Sequence, residues 1–155
     1  MSIKVKKFIN EDTTLWDNFI NCSNNGTLFH YRSFLNYHEN IDFEDHSLLF
    51  YKDNKLIAIL PAAIENNIFH SHPGVSFGSF IYNDQLSFSD SNNIVSEFLL
   101  YLKQLNYQGI QITLPPTCYS HISSDYIEFC LFNNGFTYKK LELSNVLKLG
   151  NNFKD

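Results

Sequence analysis

The chain has 155 residues, 44% hydrophobic and 17% charged, with 15 Phe and 9 Tyr, enough apolar material for one domain with a filled core. A formal net charge of −5 and an isoelectric point near 5.6 argue against a nucleic-acid binder, which needs clustered Lys and Arg to neutralise phosphates. Cys22, Cys118 and Cys130 have no paired spacing, and the sequence shows neither a long apolar run nor a leader, so a reducing, cytoplasmic setting without a membrane span is expected.

Ile3, Val5 and Lys7 alternate with Lys4, Lys6 and Phe8, the period of an opening strand. Thr14 and Asp17 resemble a capping box, and Leu15, Trp16, Phe19 and Ile20 then recur at helical spacing, giving a first helix that ends near 24–26. A short second helix is expected over 33–39, with Ser33 as its cap. Strands over 47–51, 55–64 and 68–71 are separated by Asp53-Asn54 and Glu65-Asn66-Asn67. These turn formers tolerate positive φ and predict an antiparallel meander, with Pro61 at an edge or bulge.

After a stretch rich in Gly, Ser and Phe over 72–90, Ile94, Val95, Phe98, Leu99, Leu102 and Leu105 mark an amphipathic helix capped by Ser89, Asp90 or Ser91. A short strand over 109–114 stops at Pro115-Pro116. Asp125 and Glu128 open another helix, which Asn134-Gly135 ends. Closing strands are expected over 136–143 and 145–149. The order implies an α/β (α+β) mixed sheet, mostly antiparallel with a parallel portion reached by a right-handed crossover and flanked by about four helices, in a single domain over 1–155.

Four stretches carry a family resemblance: Asn25-Gly26-Thr27-Leu28-Phe29-His30 with Ser33-Phe34-Leu35 and Tyr37-His38; Phe43 to Leu49 with Leu56 to Ala62; Ser71-His72-Pro73-Gly74-Val75-Ser76-Phe77-Gly78-Ser79-Phe80-Ile81; and Leu114-Pro115-Pro116, Tyr119 and Asn134-Gly135-Phe136 leading to Leu143. In this order the chain resembles the FemAB-like branch of the GNAT N-acyltransferase superfamily, whose members carry two such domains. The resemblance implies a GNAT-like fold and an N-terminal half that lines the acceptor side. The acceptor would be an amine on a sugar, cell-wall precursor or amino compound. The donor of the complete enzyme would be acyl-CoA or aminoacyl-tRNA, and the partner a second GNAT-like domain in cis or a second copy. Family members that use a CoA thioester hold its pyrophosphate on an Arg/Gln-x-x-Gly-x-Gly/Ala turn opening a helix. No such turn is present, because Gly74 and Gly78 have the wrong spacing, so no cofactor is expected on this chain alone. The rival reading is a non-catalytic binding or dimerisation module.

The segment Ser71, Gly74, Ser76, Phe77, Gly78 and Tyr82 reads either as a groove wall that a substrate approaches closely or as a Gly-rich strand crossing. His72 reads as a proton acceptor for an attacking amine or as a hydrogen-bonded structural side chain. Arg32, the sole arginine, reads as a bidentate clamp for an anionic group or as a helix-start ion pair. Tyr37 and Tyr82 offer stacking or hydroxyl contacts. His70 and His72 share one side of a strand, but spacing supplies no third metal ligand. Cys118 with His121 follows a Pro-Pro turn that offers no activating group, so a solvated loop is the better reading.

Overall fold

A computed structural model describes residues 2–36, 44–84 and 86–146. In chain order the elements are β1 (Ile3–Lys7), α1 (Thr13–Asn21), the one-turn α2 (Arg32–Leu35), β2 (Glu44–Asp45), β3 (Leu48–Lys52), β4 (Lys55–Leu60), β5 (Ala63–Glu65), β6 (Ile68–His70), β7 (Ile81–Tyr82), α3 (Phe88–Lys103), β8 (Gly109–Gln111) and α4 (Tyr126–Asn133). Among the described residues these form two four-stranded sheets, β1-β3-β4-β7 and β2-β5-β6-β8, antiparallel except for the β6–β8 pair. The architecture is a mixed α/β fold.

One hairpin runs through both sheets. Its tip is Asp53-Asn54, with φ of 49° and 63°, the doubly left-handed turn that Asp and Asn tolerate and that matches strand twist. Asn66 and Asn67 repeat the device between β5 and β6, with φ of 50° and 62°. Pro61 lies at the bend between β4 and β5, where it has no ladder hydrogen bond to lose. Opposite it, Ser47 Oγ takes the Ala62 N–H at 3.2 Å, and the His46 N–H reaches the Ala62 carbonyl at 2.9 Å. The bend therefore leaves these backbone groups paired.

Strand alternation sorts the core. Leu48, Phe50, Ala58, Leu60 and Phe80 face Ile94, Val95, Phe98 and Leu102 of α3 and Ile127, Cys130 and Leu131 of α4. Leu49, Ile59 and Ile81 point the other way, onto Phe8, Trp16, Ile20 and Leu35. Covering both faces explains why these strands are continuously apolar. Trp16 is fully buried and donates its indole N–H to the His30 carbonyl at 2.8 Å, tying α1 to the turn before α2.

Several boundaries differ from expectation. Helix α1 starts after Asp12, whose carboxylate takes the Ile9 N–H and the Lys6 ammonium, while Asp17 accepts the backbone N–H of Arg32 at 3.0 Å. The Thr14/Asp17 pair is therefore no capping box: the carboxylate is used in a tertiary contact. Tyr31 precedes α2, leaving Ser33 inside it; residues 37–39 of the expected helix, Tyr37 among them, lie outside the described residues. Ser87 caps α3, with its Oγ taking the Asp90 N–H at 3.1 Å. The expected closing strands do not form over 136–146, and 147–149 lie outside the described residues. There Lys140 pairs with Glu142 and Lys139 reaches only the Gln111 side chain, so the segment has strand-like alternation without a ladder. Among the described residues no helix is long and apolar enough to cross a membrane.

Candidate functional site

Strands β6 and β7 are two parts of one path interrupted by an extrusion. From Ala63 to Ile59 the partner path advances four residues, while from His70 to Ile81 this path spends eleven. Seven residues are thereby pushed out of the sheet. The neck is pinned to the end of β8 and the chain just after it: the Ser71 N–H donates to the Gln111 carbonyl at 2.9 Å, the Thr113 N–H to Ser71 Oγ at 2.8 Å, and the Gly78 N–H to the Thr113 carbonyl at 3.0 Å. A Cβ on Gly78 would meet the Ser71 carbonyl oxygen at 2.3 Å, so only glycine closes this neck.

Phe77 leaves the loop and fills the space beneath it, 5.1 Å from the rings of Phe29 and Tyr119 and 5.8 Å from His30. His30 is fully buried; its Nδ1 accepts the Thr27 N–H at 3.0 Å, which puts the ring proton on Nε2. That nitrogen lacks a complete hydrogen bond, although the Gly78 carbonyl favours a proton there. Burial dominates and, with a smaller contribution from the nearby His72, holds the His30 pKa down to about 4. His72 is buried at the neck, with φ of +49° and its N–H on the His70 carbonyl at 2.8 Å.

The sequence-nominated residues thus fall in three places. Ser71, His72, Phe77 and Gly78 come together at the neck, and Gly74 and Ser76 are exposed on the loop beyond it. Tyr82 lies on β7. Arg32 is buried elsewhere: its guanidinium pairs with Asp45, donates to Ser47 Oγ at 3.1 Å and stacks 3.9 Å from the Phe8 ring centroid. Asp45 is desolvated, yet Arg32 and Ser47 hold its carboxyl below the usual range.

Two asparagines not nominated from the sequence close the outer edge of β7. The Asn25 side chain donates to the Phe80 carbonyl at 2.9 Å and accepts the Tyr82 N–H at 3.1 Å, while the Asn24 N–H reaches the Tyr82 carbonyl at 2.7 Å. Asn24 also holds both polar groups of the Ile122 backbone, at 2.7 and 2.8 Å. The only sequence signal is Asn-Asn-Gly after a helix, which ordinarily marks a terminus.

Beyond this bridge lies a groove of about 680 Å³ lined by Asn24, Tyr82, Asp84, Phe88, Asp125 and Phe129, among others. Burial raises the Tyr82 hydroxyl pKa, and an Asn24 hydrogen bond partly offsets it. At the start of α3, Ser87 Oγ and Asp90 occupy the first turn, and Asp90 Oδ1 accepts Lys52 Nζ at 2.7 Å. A helix start already capped and carrying a carboxylate does not fit a pyrophosphate. Among the described residues no three His, Cys, Asp or Glu converge as a metal site.

No protein-family model and no curated protein matches this chain. Solved structures do match in fold. A GNAT family acetyltransferase of Staphylococcus aureus subsp. aureus USA300_TCH1516 is 15% identical with TM-score 0.53, over 95% of this chain and 100% of that one. A transcriptional regulator from Bacillus halodurans C-125 is 10% identical with TM-score 0.53, over 94% and 99%. At these identities the likeness is one of fold, and the fold is GNAT-like.

Proposed function

We propose that this chain is the acceptor-side unit of an N-acyltransferase of the FemAB-like type. The carrying observation is the extruded loop, pinned at Ser71 and Gly78 to Gln111 and Thr113, within a GNAT-like sheet. In this reading the exposed loop residues Gly74 and Ser76 and the Tyr82 side chain border the acceptor, buried Phe77 supports the loop from beneath, and His72 takes the proton of the attacking amine. The amine nitrogen bonds to the acyl carbonyl carbon, backbone N–H groups stabilise the oxyanion, and the bond to the leaving group breaks. The capped start of α3 leaves the donor to a second GNAT-like domain in cis or to a second copy. The donor is acyl-CoA or aminoacyl-tRNA, and the latter would depend on that second unit, because this acidic chain offers tRNA no landing surface.

The test is acetyl transfer from acetyl-CoA to a panel of primary amines, using the protein at its natural full length. Transfer that falls at least tenfold in Gly78→Ala supports the reading. Folded protein that acetylates no amine overturns it in favour of a non-catalytic module, the reading that the Ser87 and Asp90 cap also favours. The chain alone should show no melting shift with acetyl-CoA, whereas a bound ligand at 100 times its Kd would stabilise by about 2.7 kcal/mol.

A further inference from the structure

The groove beside β7 has a composition that selects its occupant. Its walls are aromatic: the Phe88 ring stands 5.7 Å from Tyr126 and 5.8 Å from Phe129, and all three are 45–57% exposed. Free-standing aromatic faces of this kind lose water favourably to an apolar or ring-shaped body. Among the described residues its charge has one sign, since Asp84 and Asp125 line it and no described Lys, Arg or His does. Neither carboxylate has an ion-pair partner among the described residues. Asp125 precedes α4 yet makes no side-chain cap, so its carboxylate is not spent on the helix. The Tyr82 hydroxyl and the Asn24 amide add polar groups to the lining.

We propose that this groove binds a protonated organic amine with an apolar or ring-shaped body, its ammonium neutralised by Asp84 and Asp125 and its body resting on Phe88, Tyr126 and Phe129. Ring faces and carboxylates attract an ammonium together, since the π-cloud and the carboxylate charge have the same sign. The same carboxylates repel the phosphates of a nucleotide donor, so the groove separates acceptor from donor by charge. The inference rests on the acyltransferase reading only in naming the acceptor class; binding itself needs no donor.

Calorimetric titration of the natural full-length protein with phenethylammonium at pH 7, against neutral 2-phenylethanol, tests it. The ammonium should bind saturably and at least tenfold more tightly than the alcohol. Asp84→Asn and Asp125→Asn should each weaken it threefold or more, Phe129→Leu should weaken both probes, and Glu65→Gln, at the end of β5 and outside the groove lining, should change neither. Equal binding of the two probes, indifference to both Asp substitutions in variants with unchanged melting temperature, or no saturable binding overturns the proposal. Amine acetylation that persists undiminished in Asp84→Asn and Asp125→Asn would leave the acyltransferase reading and remove this site; amine binding without acetylation would do the reverse.

Discussion

Gly78 and Arg32 show how differently single residues announce themselves. Gly78 stands in a Gly- and Ser-rich run that reads as a close backbone approach, and the 2.3 Å clash awaiting a Cβ gives that reading its cause. Because the obstacle is the Ser71 backbone and cannot rotate away, Gly78→Ala should cost about 2 kcal/mol or more, measurable by urea unfolding. Arg32 is legible as a lone charge among aromatic residues, but its burial depends on Phe8, Trp16 and Asp45 arriving from other elements. The guanidinium is 5% exposed and the Asp45 side chain 40%. Loss of Asp45 therefore strands a buried cation, whereas loss of Arg32 leaves a carboxylate that can reach water. Asp45→Ala should cost about 3 kcal/mol and Arg32→Met about 1 to 2, with the double variant less destabilised than the sum, as a thermodynamic cycle would show.

Among elements, the meander is the part most legible beforehand, because Asp53-Asn54 and Asn66-Asn67 carry their turn geometry locally. Helix α3 is equally legible in its core face, since Ile94, Val95, Phe98 and Leu102 are all buried, but the sequence pattern points to a cap at least two residues after the Ser87 that the structure uses. Three hydroxyls or carboxylates at 87–90 compete for the cap, and backbone geometry chose Ser87, with φ of −77° and ψ of 160°. Ser87→Ala should cost about 1 kcal/mol in thermal unfolding, while Ser89→Ala should leave stability within about 0.5 kcal/mol. The seven-residue extrusion was not legible, because it is defined by register on β4 and β5 rather than by its own sequence. Nor was the Asn24–Asn25 bridge, whose partners are 55 to 98 residues away.

For the whole molecule, buried histidines set the acid response. His30 has its pKa lowered from 6.5 to about 4, mainly by burial, so the unfolded chain binds its proton more readily. Stability from this residue is full above pH 6.5, falls as pH drops toward 4 and then levels off, a span of about 3 kcal/mol at most. His46, lowered chiefly by burial, acts with the same sign. Unfolding free energy followed from pH 7 to 4 should show this decline, and His30→Phe should flatten part of it.

The bent hairpin bears on motion. Strands β2–β3 and β4–β5 enter both sheets without interruption by a loop, so the sheets share a spine and lack a hinge. Amide hydrogen exchange in β3–β4 and in β5–β6 should therefore report the same opening free energy and collapse together with denaturant. Two separate exchange classes would mean that the bend at Ser47 and Ala62 yields before either sheet does.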